Sequence, residues 1–335
     1  MKRFLFRILL ILAFVCLFSV LVCTAVDPFN VFHPFAIRDN GVEPNKNFIK
    51  MSYLLKNPER FDALIFGSSR VSSLHPEQIA GMSCYNMTYS GGLPEENLAN
   101  VQTLLTRGVA LRRIYLGVDE ISFSADPAEH LKEPLRSPYE YSRSHPVSFW
   151  KLYLDPAVSV RALGEVIGAY QPGDPDFSET FYRGGWVYDY GFQSSYSFED
   201  AKALPLEQHR LDEAIAAVRE LRALCEKNGV ELLVFTNPIY RVQMDEAVKN
   251  GYLDFLKKLA EVTPFYNFSG YNDITMNSKN YADISHYTAE TGDLVLAAIQ
   301  GQGDSALEAQ GFGRYVTQDT VDMLIAQIEQ HGVQP

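Results

Sequence analysis

The sequence predicts an α/β protein, a three-layer arrangement with a central parallel sheet, preceded by one transmembrane helix and carrying a large aromatic-rich insertion. Three observations predict it. Lys2, Arg3 and Arg7 stand before an uncharged apolar run over residues 8–26. Short apolar runs then alternate with segments of helical periodicity, the pattern of parallel strands joined by crossovers with helices on the sheet faces. Between the two halves of that pattern, residues 121–205 break it with prolines, glycines and aromatics, including both tryptophans, Trp150 and Trp186.

The N-terminal run is about 19 residues long, enough to cross a ~30 Å hydrocarbon core as a helix. Its basic flank predicts a cytoplasmic N-terminus and an external remainder, hence a single-pass protein of the cytoplasmic membrane with residues 1–26 as flank and anchor. A cleaved signal peptide is the alternative. Its apolar region is normally about 7–15 residues, shorter than this run, although Cys23-Thr24-Ala25 offers a small-residue cleavage site. Lipid modification of Cys23 is disfavoured because Val22 stands where a small residue is expected. Residues 27–60 read as an extended membrane-proximal segment, since Pro28, Pro34, Pro44 and Pro58 oppose long regular elements. The folded domain follows over 61–335.

Within it, Ala63-Leu64-Ile65-Phe66 is an apolar run bounded by Asp62 and Gly67, as expected of a buried parallel strand. Strands are also expected over 85–89, 114–118, 230–235 and 265–268. Helices are expected over 95–107, from about 206 to Asn228-Gly229, over 243–262, 288–299 and 317–329, with part of the insertion, around 158–169, helical as well.

Hydrophobic residues make up 47% of the 335-residue chain, enough for one such domain with an insertion or small second lobe. The formal net charge of -12 repels phosphate backbones, so nucleic acid is not an expected partner. Cys16 and Cys23 fall in the anchor. Cys84 and Cys225 remain, far apart and without metal-ligand spacing, and read as two buried thiols, with one extracytoplasmic bond between them as the alternative.

Chemistry concentrates at two places. In Phe66-Gly67-Ser68-Ser69-Arg70 a strand runs into glycine and serine at the carboxyl end of a parallel sheet, where such sheets bind ligands. The same residues also suit an ordinary turn and helix cap. Near the other end, Asp283-Ile284-Ser285-His286 sits in a loop before a helix. A serine hydroxyl needs a base to become nucleophilic; a neutral imidazole suits that task, and a carboxylate three residues earlier can orient it. Alone, the second motif is also compatible with a polar loop and a capping Asp.

Together these residues resemble the SGNH (GDSL-like) hydrolase superfamily, over about 63–120 and 206–300. The resemblance implies a flavodoxin-like three-layer sandwich with Ser69 as nucleophile, His286 as base and Asp283 as its orienting acid. It implies an oxyanion hole from the backbone N–H groups of Ser69 and of Gly91 or Gly92. Two positions depart from the pattern. Ser68 replaces the usual acidic residue, as in envelope members such as the D-alanyl transfer protein of teichoic acid synthesis. Asp119, in Gly117-Val118-Asp119-Glu120, occupies the place of the usual oxyanion-hole Asn, where a carboxylate would oppose an oxyanion.

An anchored, outward-facing member resembles bacterial proteins that add or remove acyl groups on surface polysaccharides, such as the alginate O-acetylation proteins. This implies acyl transfer, acetyl first, to or from a polysaccharide or its precursor, with no metal or organic cofactor and a multi-pass membrane acyltransferase as donor partner. Tyr139, Tyr141, Trp150, Tyr182, Trp186, Tyr188 and Tyr190 are candidate sugar platforms, and also ordinary packing residues. A small-ester esterase or lipase, and a catalytically idle scaffold in an envelope assembly, are the competing functions; Asp119 is the feature that favours the idle one.

Overall fold

The structure, a computed structural model, describes residues 2–38, 40, 42–154, 156, 177–184, 196–206 and 209–331. The helix expected around 158–169 lies outside them. The chain divides into two compact units, Met1–Tyr53 with Ala128–Glu179, and Leu54–Pro127 with Thr180–Pro335. The stretch expected as a single insertion is therefore shared between the units.

In the first unit, α1 (Lys2–Val26) is long and apolar enough to cross a membrane. At ~1.5 Å per residue it spans about 37 Å. Its large side chains are exposed, among them Phe4, Leu9, Phe14 and Leu21, as suits a helix solvated by lipid rather than protein. Asp27 closes it at φ 40, and its carboxylate accepts the N–H groups of Val31, Phe32 and His33. The segment 27–60 is more regular than its prolines predict, because α2 (Lys46–Lys56) fits between Pro44 and Pro58. Asn45 caps it by accepting the Phe48 N–H at 3.0 Å. The Asn45 amide also donates to the Pro134 and Ser137 carbonyls and to the Tyr153 hydroxyl. Trp150 stacks on Phe32 and meets Phe48 and Phe149 edge-on, an aromatic cluster among the described residues of this unit.

The second unit is α/β, built on a six-stranded, mostly parallel sheet. Its strands are β1 (Ala63–Phe66), β2 (Cys84–Asn86), β3 (Arg113–Val118), β4 (Glu231–Thr236), β5 (Phe265–Asn267) and β6 (Arg314–Val316), in the order β2-β1-β3-β4-β5-β6. The first five run parallel and β6 pairs antiparallel with β5. Every residue of β1 is buried, and all of β3 but Arg113, which is why these strands read as continuous apolar runs. After β1 the chain goes to β2 on one side, then crosses to β3 on the other. The carboxyl ends of β1 and β3 thus flank a topological switch point, the usual ligand position in open α/β sheets.

The crossovers follow the helical periodicity. Helix α3 (Pro94–Thr106), with proline in its first turn, packs against α4 (Leu211–Lys227). The helix expected over 243–262 is two helices, α5 (Arg241–Lys249) and α6 (Tyr252–Val262). Gly251 separates them at φ 93, a left-handed conformation that a continuous helix cannot contain. Helix α7 (Ala289–Ile299) starts at Thr288, whose hydroxyl accepts the Thr291 N–H, and it packs on the turn after β1. The last helix, α8 (Val321–His331), packs on α6. Strand β6 was not expected: three residues on a sheet edge carry too little alternation to register. Cys84 and Cys225 are separate buried thiols.

Candidate active site

Strand β1 delivers Ser69. Gly67 ends the strand at φ 154, and a Cβ there would lie 2.7 Å from Val71 Cγ1 and 3.0 Å from the Gly117 carbonyl, so this close approach needs glycine. A tight helical turn, Ser69–Ser73, follows, and Ser68 Oγ accepts the Arg70 N–H at 3.4 Å. The two serines then diverge. Ser68 is buried and donates to Asp119 Oδ2 at 3.3 Å. Ser69 is the one residue from Gly67 to Leu74 that is not fully buried, and its Oγ lies 2.9 Å from His286 Nε2.

The far loop supplies the rest. His286 Nδ1 sits 3.0 and 2.9 Å from the two Asp283 oxygens. An ionised carboxylate only accepts, so Nδ1 carries the proton and, in the neutral ring, Nε2 presents its lone pair to Ser69. Asp283 Oδ1 also accepts the N–H groups of Ser285 and His286, which curls the loop and fixes the carboxylate under the ring. Partial burial pushes the Asp283 carboxyl up, but the hydrogen bond and charge of His286 and those two N–H groups outweigh it and hold it below the usual range.

The end of β2 and the segment after it are tied to the same turn. Thr88 Oγ1 donates to the Ser68 carbonyl at 2.9 Å, and Asn86 Nδ2 donates to the carbonyls of Val71 and Leu74. Gly92 presses against β1, where a Cβ would meet the Gly67 oxygen at 2.4 Å. Its N–H donates to the Tyr89 carbonyl at 3.3 Å, whereas the Gly91 N–H donates to no backbone carbonyl of the described residues. Gly91 stands at φ 67. The Ser69 N–H opens a helical turn and has no intrahelical acceptor.

Beneath the serine lies a buried charge cluster. Arg70 is 1% exposed and grips Glu120 with two 2.6 Å bonds, while its Nη1 lies 3.1 Å from Asp119 Oδ2. Its Nε donates to the Ser285 carbonyl at 2.9 Å. Asp119 also accepts from Asn237 Nδ2 at 2.9 Å and from the Ile121 N–H at 3.0 Å. Asp119 is thus an acceptor surrounded by donors. Burial alone would lower the Arg70 pKa; Glu120 and Asp119 more than reverse this, so the guanidinium stays charged. Burial holds the Glu120 carboxyl above its usual range, although the charge and the hydrogen bonds of Arg70 pull it the other way.

The structure therefore brings Ser69, His286 and Asp283 together at the switch point. The sequence reading missed Glu120 and Asn237, whose only signals are their places at the ends of β3 and β4. Of the candidate sugar platforms, Trp150 packs among aromatics of the first unit, Tyr139 against Phe48, and Tyr141 on His145. Tyr182 meets Phe181 edge-on in the second unit. Trp186, Tyr188 and Tyr190 lie outside the described residues. No family model, curated protein or solved structure matches the chain.

Proposed function

We propose that the chain is an SGNH-type serine acyltransferase or esterase, anchored in the cytoplasmic membrane of a bacterium and acting outside it on a surface polysaccharide or its precursor. The observation that carries the reading is the hydrogen-bonded series Ser69 Oγ, His286 Nε2, His286 Nδ1, Asp283, spanning both ends of the domain. The strand order β2-β1-β3-β4-β5 supports the flavodoxin-like, three-layer part of the reading. Helix α1 and the basic flank before it support the anchor and its orientation.

In the proposed reaction Ser69 Oγ attacks the carbonyl carbon of an acyl donor and its proton passes to His286 Nε2. The N–H groups of Ser69 and Gly91 hold the oxyanion. Collapse breaks the bond to the donor oxygen, which leaves with the proton from Nε2, and Ser69 remains acylated. A sugar hydroxyl then gives its proton to Nε2 and attacks the acyl carbon, and Ser69 Oγ leaves and recovers that proton. With water in place of the sugar the same steps are ester hydrolysis. Asp283 stabilises the imidazolium in both halves. Acetyl is the acyl group proposed, with a multi-pass membrane acyltransferase as its source.

The pairing of Asp119 with Arg70 and Asn237 favours an active site over an idle scaffold, because the charge that would oppose an oxyanion is already engaged. The test is turnover of a small acetyl ester by the full-length chain in detergent, with and without polysaccharide acceptors. Acetyl on the acceptor and on Ser69 supports transfer; acetate alone supports an esterase. Turnover unchanged in Ser69→Ala refutes both.

A further inference from the structure

Asp283 and its two loop N–H bonds orient the His286 ring within its own loop, but they do not fix that loop against the serine turn. The two motifs are separated by more than two hundred positions of chain, and a hydrogen bond of 2.9 Å between Ser69 and His286 tolerates little drift. Two side chains of the serine turn make that link: Ser73 Oγ donates to the Tyr287 carbonyl at 2.8 Å on one side of His286, and Arg70 grips the other side. Arg70 is covalently next to Ser69, and its Nε donates to the carbonyl of Ser285, the residue next to His286. Its other nitrogens are locked by Glu120 and Asp119 at the end of β3. A further link runs through the same cluster: Asn237 donates to Asp119 and accepts from the hydroxyl of Tyr287, which follows His286.

Resting on the hydrolase reading above, we infer that Arg70 is a positioning residue: it sets the His286 loop against the Ser69 turn through the Ser285 carbonyl, with Glu120 holding the guanidinium at the required angle. The choice of arginine follows from its shape. One planar group makes two parallel bonds to Glu120 and a third, through Nε, to Ser285; the ammonium of lysine has no such fork. Three charges held at about 1% exposure or less are a costly way to stabilise a core, since apolar residues of equal volume often do as well. Their arrangement across the serine turn, the β3 end and the histidine loop is what an apolar cluster could not reproduce.

The experiment uses the full-length chain in detergent and the variants Arg70→Lys and Glu120→Gln. It reads fluorophosphonate labelling kinetics, split into the maximal rate and the half-saturating probe concentration, and backbone hydrogen exchange over residues 284–287. For Arg70→Lys we expect the maximal labelling rate of folded protein to fall roughly 10- to 100-fold, as for a small misplacement of reacting groups. Half-saturation should stay within about threefold, because probe contacts are not removed. Exchange over 284–287 should accelerate while that over β1 is unchanged. Glu120→Gln should show the same pattern more weakly, and it carries the test where Arg70→Lys does not fold. Wild-type labelling rate and wild-type exchange over 284–287 in the folded variants would overturn the inference. Absence of labelling in the wild-type chain would instead count against the hydrolase reading, and the exchange measurement then still decides whether Arg70 holds the loop.

Discussion

Removing the Asp119 carboxylate tests the charge cluster directly. In Asp119→Ala, Arg70 keeps its bidentate bonds to Glu120 but loses its second anion. Asn237 Nδ2, the Ile121 N–H and Ser68 Oγ each lose an acceptor in a site where Asp119 is 1% exposed. A charged hydrogen bond contributes about 1.5–3 kcal/mol and each stranded buried donor costs about 1–3 kcal/mol, with relaxation and water entry recovering part of the sum. Breaking one partner of a buried charge pair typically costs about 3–5 kcal/mol, and we take ~4 kcal/mol here. For a domain of this size that lowers the Tm by roughly 8–16 °C. Asp119→Asn is nearly isosteric but not neutral. Oδ2 faces Arg70, Asn237 and Ser68, while Oδ1 faces the Ile121 N–H, so either amide orientation points an NH2 at a donor. We expect a smaller loss of about 2 kcal/mol, with ester turnover retained in the folded fraction. The assay is thermal unfolding of both variants beside turnover of a small acetyl ester. A Tm of Asp119→Ala within about 2 °C of the wild type, less than ~1 kcal/mol by the same conversion, would refute the reasoning that these donors depend on it.

Three further outcomes follow from the geometry. The Asp283 carboxyl lies below its ordinary value, so its pairing adds stability that is fully present above ~pH 4 and is lost as pH falls through the lower folded value; acid unfolding followed by fluorescence should show this loss in the wild type and not in Asp283→Asn. Gly292→Ala puts a Cβ 2.2 Å from the Ser73 carbonyl, forcing α7 away from the serine turn, and should cost about 1–3 kcal/mol in urea unfolding together with a fall in turnover. In membrane vesicles, protease added from the outer face should digest the folded domain and spare an N-terminal tag; protection of the domain would reverse the proposed orientation.

Much of the sheet was legible because its strands are buried on both faces and so read as uninterrupted apolar runs, as in Ala63-Leu64-Ile65-Phe66. The errors have specific causes. Prolines at 28, 34 and 44 argue against helix only where they stand, and α2 fits behind them with Asn45 as its cap. Asn250-Gly251 reads as helix interior by periodicity, yet its left-handed glycine breaks the element in two. At the site, the meeting of Ser69, Asp283 and His286 was legible because a serine after a strand and an Asp three residues before a His are chemically distinctive types in recognisable local settings. Glu120 and Asn237 were not, because their partners lie 50 and 118 positions away and only the fold brings them close. The pairing of Arg70 with Asp119 could be anticipated from adjacent strand ends; its grip on the Ser285 carbonyl could not.

The central claim is that Ser69, activated by His286, is a nucleophile. The most direct measurement is a fluorophosphonate reaction with the full-length chain, with the modified residue mapped by peptide mass spectrometry. We expect the adduct on Ser69, none in Ser69→Ala or His286→Gln, and continued labelling in Ser68→Ala, whose hydroxyl is buried against Asp119. An adduct on Ser68, undiminished labelling in His286→Gln, or no adduct on a folded wild-type chain would contradict the account.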